Sequence, residues 1–300
     1  MTRGQILLLS CLSLVGPARQ FATAAEPQRL TRDGQLKFSP VFIDQGRRVV
    51  YSAHNQPQRV SIIRLDLASG KNTVHYPAGS DSQFDIAFSA DRKIECFARS
   101  GGIRQLSLVI RHTATKQEYL FHPPGALRST VRTPRFTPDG KRIVLTLNAP
   151  GGQQIVSLDL QGKDLRKLTA SNGINGWPAI SPDGQTIVFS SSRKGPLDLW
   201  LMDADGSNQR PFAGSPRRDL YPAWSPDGKR IAFTSARDGN QEIYVIDRDG
   251  TNLRRLTHHK ERDMFPVWHP DGRRLLTIAE RGGRFDFYLW DVKATLAATR

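Results

Sequence analysis

The sequence predicts an all-β fold, a six-bladed β-propeller of four-stranded antiparallel blades, on three observations. A turn built around Ser-Pro-Asp-Gly recurs six times, its spacing is nearly constant, and short apolar strand-like segments fill the intervals with no helical periodicity of comparable length. Three hundred residues is long for one ordinary core and suits a single large repeat architecture.

The turns are Asp44-Gln45-Gly46, Ala90-Asp91-Arg92, Pro138-Asp139-Gly140, Pro182-Asp183-Gly184, Pro226-Asp227-Gly228 and Pro270-Asp271-Gly272. Their last positions lie 46, 48, 44, 44 and 44 residues apart. An apolar residue stands two places before each Pro slot: Phe42, Phe88, Phe136, Ile180, Trp224 and Trp268. An apolar strand follows, as in Arg230-Ile231-Ala232-Phe233-Thr234. Pro presets φ, Asp bonds nearby backbone and Gly tolerates positive φ, which together make a hairpin.

In the clearest unit, Tyr221 to Thr257, four strands are predicted at Pro222 to Ser225, Arg230 to Ser235, Glu242 to Asp247 and Leu253 to Thr257. Four short strands per period of about 40 to 45 residues mark a propeller blade. A second register mark agrees: Thr31, Thr169, Ala213 and Thr257 each lie nine residues before a proline, at Pro40, Pro178, Pro222 and Pro266. The segment Gln28-Arg29-Leu30-Thr31 therefore reads as the end of a fourth strand, expected to complete the last blade and close the ring, which removes exposed sheet edges. The alternative is that the tail, Val292 to Arg300, forms its own fourth strand.

Units such as Tyr221-Pro222-Ala223-Trp224-Ser225-Pro226-Asp227-Gly228-Lys229-Arg230-Ile231-Ala232-Phe233 resemble the WD-like repeats of the TolB propeller family. The resemblance covers Gln28 to Asp291, is sharpest in the last three blades and weakens in the first two turns. It implies a TolB-like propeller of the cell envelope. The α/β domain that precedes the family's propeller has no expected counterpart here, because only a few residues separate the N-terminal leader from the first strand.

That leader, residues 1–24, reads as a secretory signal peptide: Arg3, an apolar stretch from Ile6 to Val15, and Ala22-Thr23-Ala24 as cleavage site. The apolar stretch has about half of the roughly 20 residues needed to cross a bilayer. The propeller then spans 25–300, periplasmic or secreted, with no transmembrane span after cleavage. Only Cys96 remains, in a predicted strand, so stability must come from packing, and a small buried apolar role is expected for it. The formal charge of +15 falls to +13 when Arg3 and Arg19 leave with an acid-free leader. Such a surface attracts polyanions. For an exported chain, an envelope protein with an acidic loop or an anionic glycan is the expected partner, nucleic acid is not, and a monomer is expected.

Turns within a blade alternate between the two faces of a propeller. The turns between second and third strands share a face with the blade-to-blade connections, around the channel mouth. That face carries Arg193, Arg217, Arg218, Asp219, Arg237, Asp238, His258, His259, Arg262, Asp263, Arg281 and Arg284, the candidate binding residues. Arginine suits carboxylate or phosphate because its planar fork donates paired hydrogen bonds; the bland reading is a solvated loop set with internal Arg–Asp pairs. The opposite face has its own basic series, Arg47-Arg48, Arg92-Lys93, Lys141-Arg142, Lys229-Arg230 and Arg273-Arg274, which reads as turn chemistry and solubility.

The segments beginning at Asp203 and Asp247 superficially match a calcium loop, but their twelfth positions are Gly214 and His258 and strands flank both, so hairpin turns are expected. Of seven histidines only His258 and His259 adjoin, and His269, in the Ser slot of a turn, is expected at the surface. No spacing supports a metal site, no cofactor is expected, and no nucleophile elbow, phosphate loop or zinc-protease motif occurs. The expected function is an exported, non-catalytic binding propeller. The alternative is a propeller-fold enzyme, such as a metal-assisted lyase acting on acidic polysaccharide, with His258 or His259 as ligand and Arg237 or Arg262 neutralising substrate.

Overall fold

The computed structural model describes residues 26–298 apart from 57–58, 77–80, 101–105, 125–128 and 150–151, so the expected leader lies outside the described residues. Six four-stranded antiparallel sheets follow one another along the chain. The first strands of the blades are Lys37–Ile43, Gln83–Phe88, Thr130–Phe136, Asn175–Ile180, Asp219–Trp224 and Asp263–Trp268, and they line the central channel. The sixth blade takes its outermost strand from the other end of the chain: Gln28–Arg29 pairs with Arg284–Asp291. The tail instead forms a short helix, Val292–Ala298.

The turn sequences do what their chemistry predicts. In the fourth blade the Ser181 hydroxyl donates to Asp183 at 2.5 Å, and the same carboxylate accepts the Gln185 amide at 3.0 Å. Ser181 Oγ in turn accepts the Thr186 amide at 3.0 Å, and Gly184 sits at φ +72°, where a side chain is disfavoured. Ser225, Asp227 and Arg230 repeat the pattern. The Asp203 and Asp247 segments are hairpin turns of the same economy, with Asn208 and Asn252 donating back to the first aspartate.

His269 departs from expectation. It is buried rather than exposed, 6% accessible, because the Phe42 ring meets it edge-on at 4.8 Å and Gly46 leaves the space it fills. A Cβ at residue 46 would lie 1.9 Å from its Nε2. The irregular first turn, Asp44-Gln45-Gly46, is thus shaped around a neighbour in the last blade.

The core is a ring of six buried clusters, one at each seam between adjacent blades. Phe189, Trp200 and Met202 meet Val144 and Ile155 at the third seam, and Cys96 is fully buried at the second. Burying each such side chain contributes roughly 1.5–3 kcal/mol. The tryptophans before the turns also tie seams together: Trp224 Nε1 donates to the Ala179 carbonyl at 3.1 Å, and Trp268 Nε1 to the Ala223 carbonyl at 3.2 Å.

Closure rests on a buried polar knot. Asp286 accepts hydrogen bonds from Arg29 at 2.6 Å and Thr31 at 2.8 Å, and the Thr31 hydroxyl accepts the Phe287 amide at 3.0 Å. Fully buried Lys37, the first residue of the first complete blade, donates to the Phe285 carbonyl at 3.0 Å and ion-pairs with Asp33 and Asp286. Thr169 and Thr257 make the same latch to Gln154 and Glu242, which explains the threonine register. Removing one partner of a buried charge network costs about 3–5 kcal/mol. Asp286→Ala should therefore lose about that much in denaturant melts, while Thr31→Val loses roughly 1–2 kcal/mol. Unchanged midpoints in both variants would show that stability lies elsewhere.

Candidate functional site

The channel narrows at one level in every blade. Ser39, Asp85, Thr133, Trp177, Tyr221 and Phe265 all have φ between +50° and +55°, and the strand register shifts around each of them. Left-handed backbone at non-glycine residues is a bulge that re-aims a side chain. Here it sets six side chains at one level as a waist, Asp85 buried in the wall and the other five lining the channel cavities. Three of the six amides are held by hydroxyls of the preceding blade: Asp85 N donates to Ser52 Oγ at 3.1 Å, Trp177 N to Thr146 Oγ1 and Phe265 N to Thr234 Oγ1, each at 3.2 Å.

The waist has two unlike halves. Trp177 meets Tyr221 edge-on at 5.4 Å, and Tyr221 stacks on Phe265 at 3.9 Å. Opposite them Asp85, fully buried, accepts from Ser39 at 2.6 Å, Arg132 at 2.5 Å and the Thr133 amide at 3.0 Å. Burial opposes its charge, but Arg132 and these donors hold its carboxyl below the usual carboxylate range. Ala98 stands where Ser52 and Thr146 carry hydroxyls, so Asp85 itself satisfies the Thr133 amide. One cavity of about 360 Å³ opens from the waist toward the blade connections, and a second of about 330 Å³ opens toward the Ser-Pro-Asp-Gly turns.

The predicted binding residues lie around the connection face and divide by what they touch. Arg193, Arg237 and Arg281 form one repeated clamp. Arg237 donates to Asp219 at 3.1 Å and Ser235 at 2.8 Å, lying over Tyr244 at 4.8 Å. Arg281 donates to Asp263 at 3.0 Å and lies over Tyr288 at 5.1 Å. In the fourth blade Asn175 replaces the acid, accepting from Arg193 at 2.8 Å with Trp200 beneath at 4.5 Å. These three guanidiniums fasten the starts of three innermost strands.

Arg262 pairs with Glu280 at 2.6 Å, Asp238 accepts the Tyr244 hydroxyl, and Arg284 donates to the Arg32 carbonyl at 3.0 Å. His259 Nδ1 accepts the Glu261 amide at 3.0 Å. His258 is exposed at the rim, where desolvation on its protein side and the Arg255 charge lower its pKa. Arg217 and Arg218 are exposed in the connection between the fourth and fifth blades, and their guanidiniums make no ion pair among the described residues. Among the described residues no three His, Cys, Asp or Glu side chains converge as a metal site, and no helix is long and apolar enough to cross a membrane.

The waist residues escaped the sequence reading although their signal was present. The prolines used to set the register, Pro40, Pro178, Pro222 and Pro266, each follow a waist residue directly. Three of those four are aromatic.

Repeated bulged strands around a pinched channel define the class, a six-bladed β-propeller with WD-like turns. More particularly, the chain is a TolB-like propeller. Residues 104–218 match the model of the TolB β-propeller domain, and residues 197–296 that of the Tricorn protease N-terminal β-propeller domain. TolB from Acinetobacter baumannii is 20% identical with a TM-score of 0.66, over 82% of this chain and 64% of that protein's length. A protein assigned as TolB in Agrobacterium tumefaciens is 23% identical with a TM-score of 0.64, over 74% and 78% of the two chains. An oligogalacturonate lyase in complex with manganese is 17% identical with a TM-score of 0.60, over 88% and 92%. At these identities the likenesses establish fold. No curated protein matches in sequence.

Asp263 gives the clamp a pH signature. Burial, opposed by Arg281 and reinforced by the Glu242 carboxylate, pushes its pKa up. Between the unfolded value of about 3.9 and the raised folded value, the folded chain keeps a proton that the unfolded chain releases. This contribution is present below the unfolded value and is lost as pH rises through the folded one. In denaturant melts from about pH 4 to about pH 8, Asp263→Asn should therefore gain stability relative to the parent as pH rises. A difference that stays constant across that range would contradict the assignment.

Proposed function

We propose that this chain is an exported, non-catalytic binding propeller that holds an envelope protein with an acidic loop, or an anionic glycan, at its connection face. The observation that carries the reading is the pair Arg217 and Arg218, exposed without ion pairs among the described residues, while Arg193, Arg237 and Arg281 are committed to the fold. Arg262, half-exposed over Phe285 at 5.6 Å and tied by one bond to Glu280, extends the basic rim. A chain whose formal charge is +13 once the expected leader is gone, with two exposed arginines free of ion pairs among the described residues at this rim, favours carboxylate-rich partners. TolB-likeness and the leader read from the sequence support export to the periplasm or beyond, and we propose that the chain acts there as a monomer.

The lyase reading draws on one likeness of fold, to a manganese-bound oligogalacturonate lyase. It requires stoichiometric metal in the purified chain, lost when both His258→Ala and His259→Ala are introduced. The binding reading predicts that affinity capture from envelope extract retains one acidic protein or glycan. The triple variant Arg217→Ala, Arg218→Ala, Arg262→Ala should lose it at least tenfold, in line with charge-assisted contacts worth about 1.5–3 kcal/mol each. Capture unchanged by the triple variant would remove this face as the site.

A further inference from the structure

The six residues two places beyond the waist face the turn-side cavity, and five of them are small and apolar: Val41, Ala87, Ala179, Ala223 and Val267. The sixth is Arg135. It is the one charged side chain among the described residues lining that cavity. Its guanidinium donates to the adjacent Pro134 carbonyl at 2.8 Å, and it makes no ion pair among the described residues. The nearby acid, Asp85, is already taken by Ser39, Arg132 and Thr133. Burial lowers the pKa of Arg135, as expected of a poorly solvated cation.

A half-buried guanidinium with no anion leaves charged donors free for a ligand. The fold does not require it, since five blades fill the same place with alanine or valine. The surrounding wall restricts what could complement it. Pro40, Pro178, Pro222 and Pro266 line the cavity and have no amide hydrogen, so a multiply charged phosphate would find one guanidinium and few backbone donors. A single carboxylate matches one planar fork. The floor is the Trp177, Tyr221 and Phe265 cluster, which offers aromatic surface. About 330 Å³ lies near the small end of ligand sites, which run from roughly 300 to 1,000 Å³.

We propose that the turn-side cavity is a binding site for a small aromatic carboxylate, with Arg135 taking the carboxylate and the Trp177, Tyr221 and Phe265 rings taking the aromatic group. The site opens away from the connection face and uses none of its rim arginines, so failure of either proposal leaves the other standing.

The test is calorimetric titration of the full mature chain, with tryptophan fluorescence in parallel. The probes are phenylacetate and indole-3-acetate, each against its neutral amide. The expected result is saturable binding of at least one acid, about tenfold or more tighter than its amide, as loss of a charged hydrogen-bond pair predicts. Arg135→Ala, which installs the residue of the second, fourth and fifth blades, should abolish that preference while the chain keeps its β-sheet spectrum. Arg135→Lys should bind more weakly than the parent and more tightly than the alanine variant. Equal affinity for acid and amide, a preference that survives Arg135→Ala, or no saturable binding of any probe at millimolar concentration would each overturn the proposal.

Discussion

The pairing of Gln28 and Arg29 with the third strand of the sixth blade is the contact on which the ring depends, because without it the seam between the last blade and the first stays open. Each hydrophobic cluster lies between two blades, so an open ring would leave the first blade's Val49, Tyr51 and Ile63 without Leu276, Ile278 and Phe287. The latch is polar as well as apolar. Thr31 accepts one strand amide and donates to Asp286, while Lys37 reaches the same carboxylate from the next blade. Residues more than 250 positions apart in sequence thereby share one buried charge network.

Closure also fixes the channel. Six left-handed bulges at one level require six blades at regular rotation, and at Asp85, Trp177 and Phe265 the bulge amide reaches a hydroxyl on the blade before it. The waist divides the channel into two compartments of different chemistry. Toward the connections it meets charged loops, with Arg132 held by Asp85. Toward the turns it meets proline, aromatic rings and Arg135. A repeat fold gains function where symmetry breaks, and Arg135 among five alanines and valines is such a break.

The architecture was legible in the sequence because its turns are chemically narrow: Asp183 must accept the Gln185 amide, and Gly184 must take positive φ. The threonine register was legible too, since Thr169, Thr257 and Thr31 each serve one strand amide and one strand-three side chain. Side-chain destinations were less so. His269 occupies a serine slot, yet Gly46, more than two hundred residues earlier, makes the room that buries it. Arg193, Arg237 and Arg281 look alike to Arg217 in sequence. Their commitment depends on Asn175, Asp219 and Asp263, which only the fold brings beneath them. Arg135 could have been found by aligning the six repeats, since the position is fixed by the proline register.

Ring closure by the N-terminal strand is tested most directly by hydrogen exchange at the Leu30 amide, which donates to the Phe287 carbonyl at 2.8 Å. A two-residue strand near a chain end would ordinarily fray and exchange quickly. If it shuts the ring, Leu30 should exchange as slowly as the buried strand amides of the sixth blade, through global unfolding. Exchange of Leu30 at the rate of an unprotected end, with Phe287 and its neighbours still slow, would contradict closure.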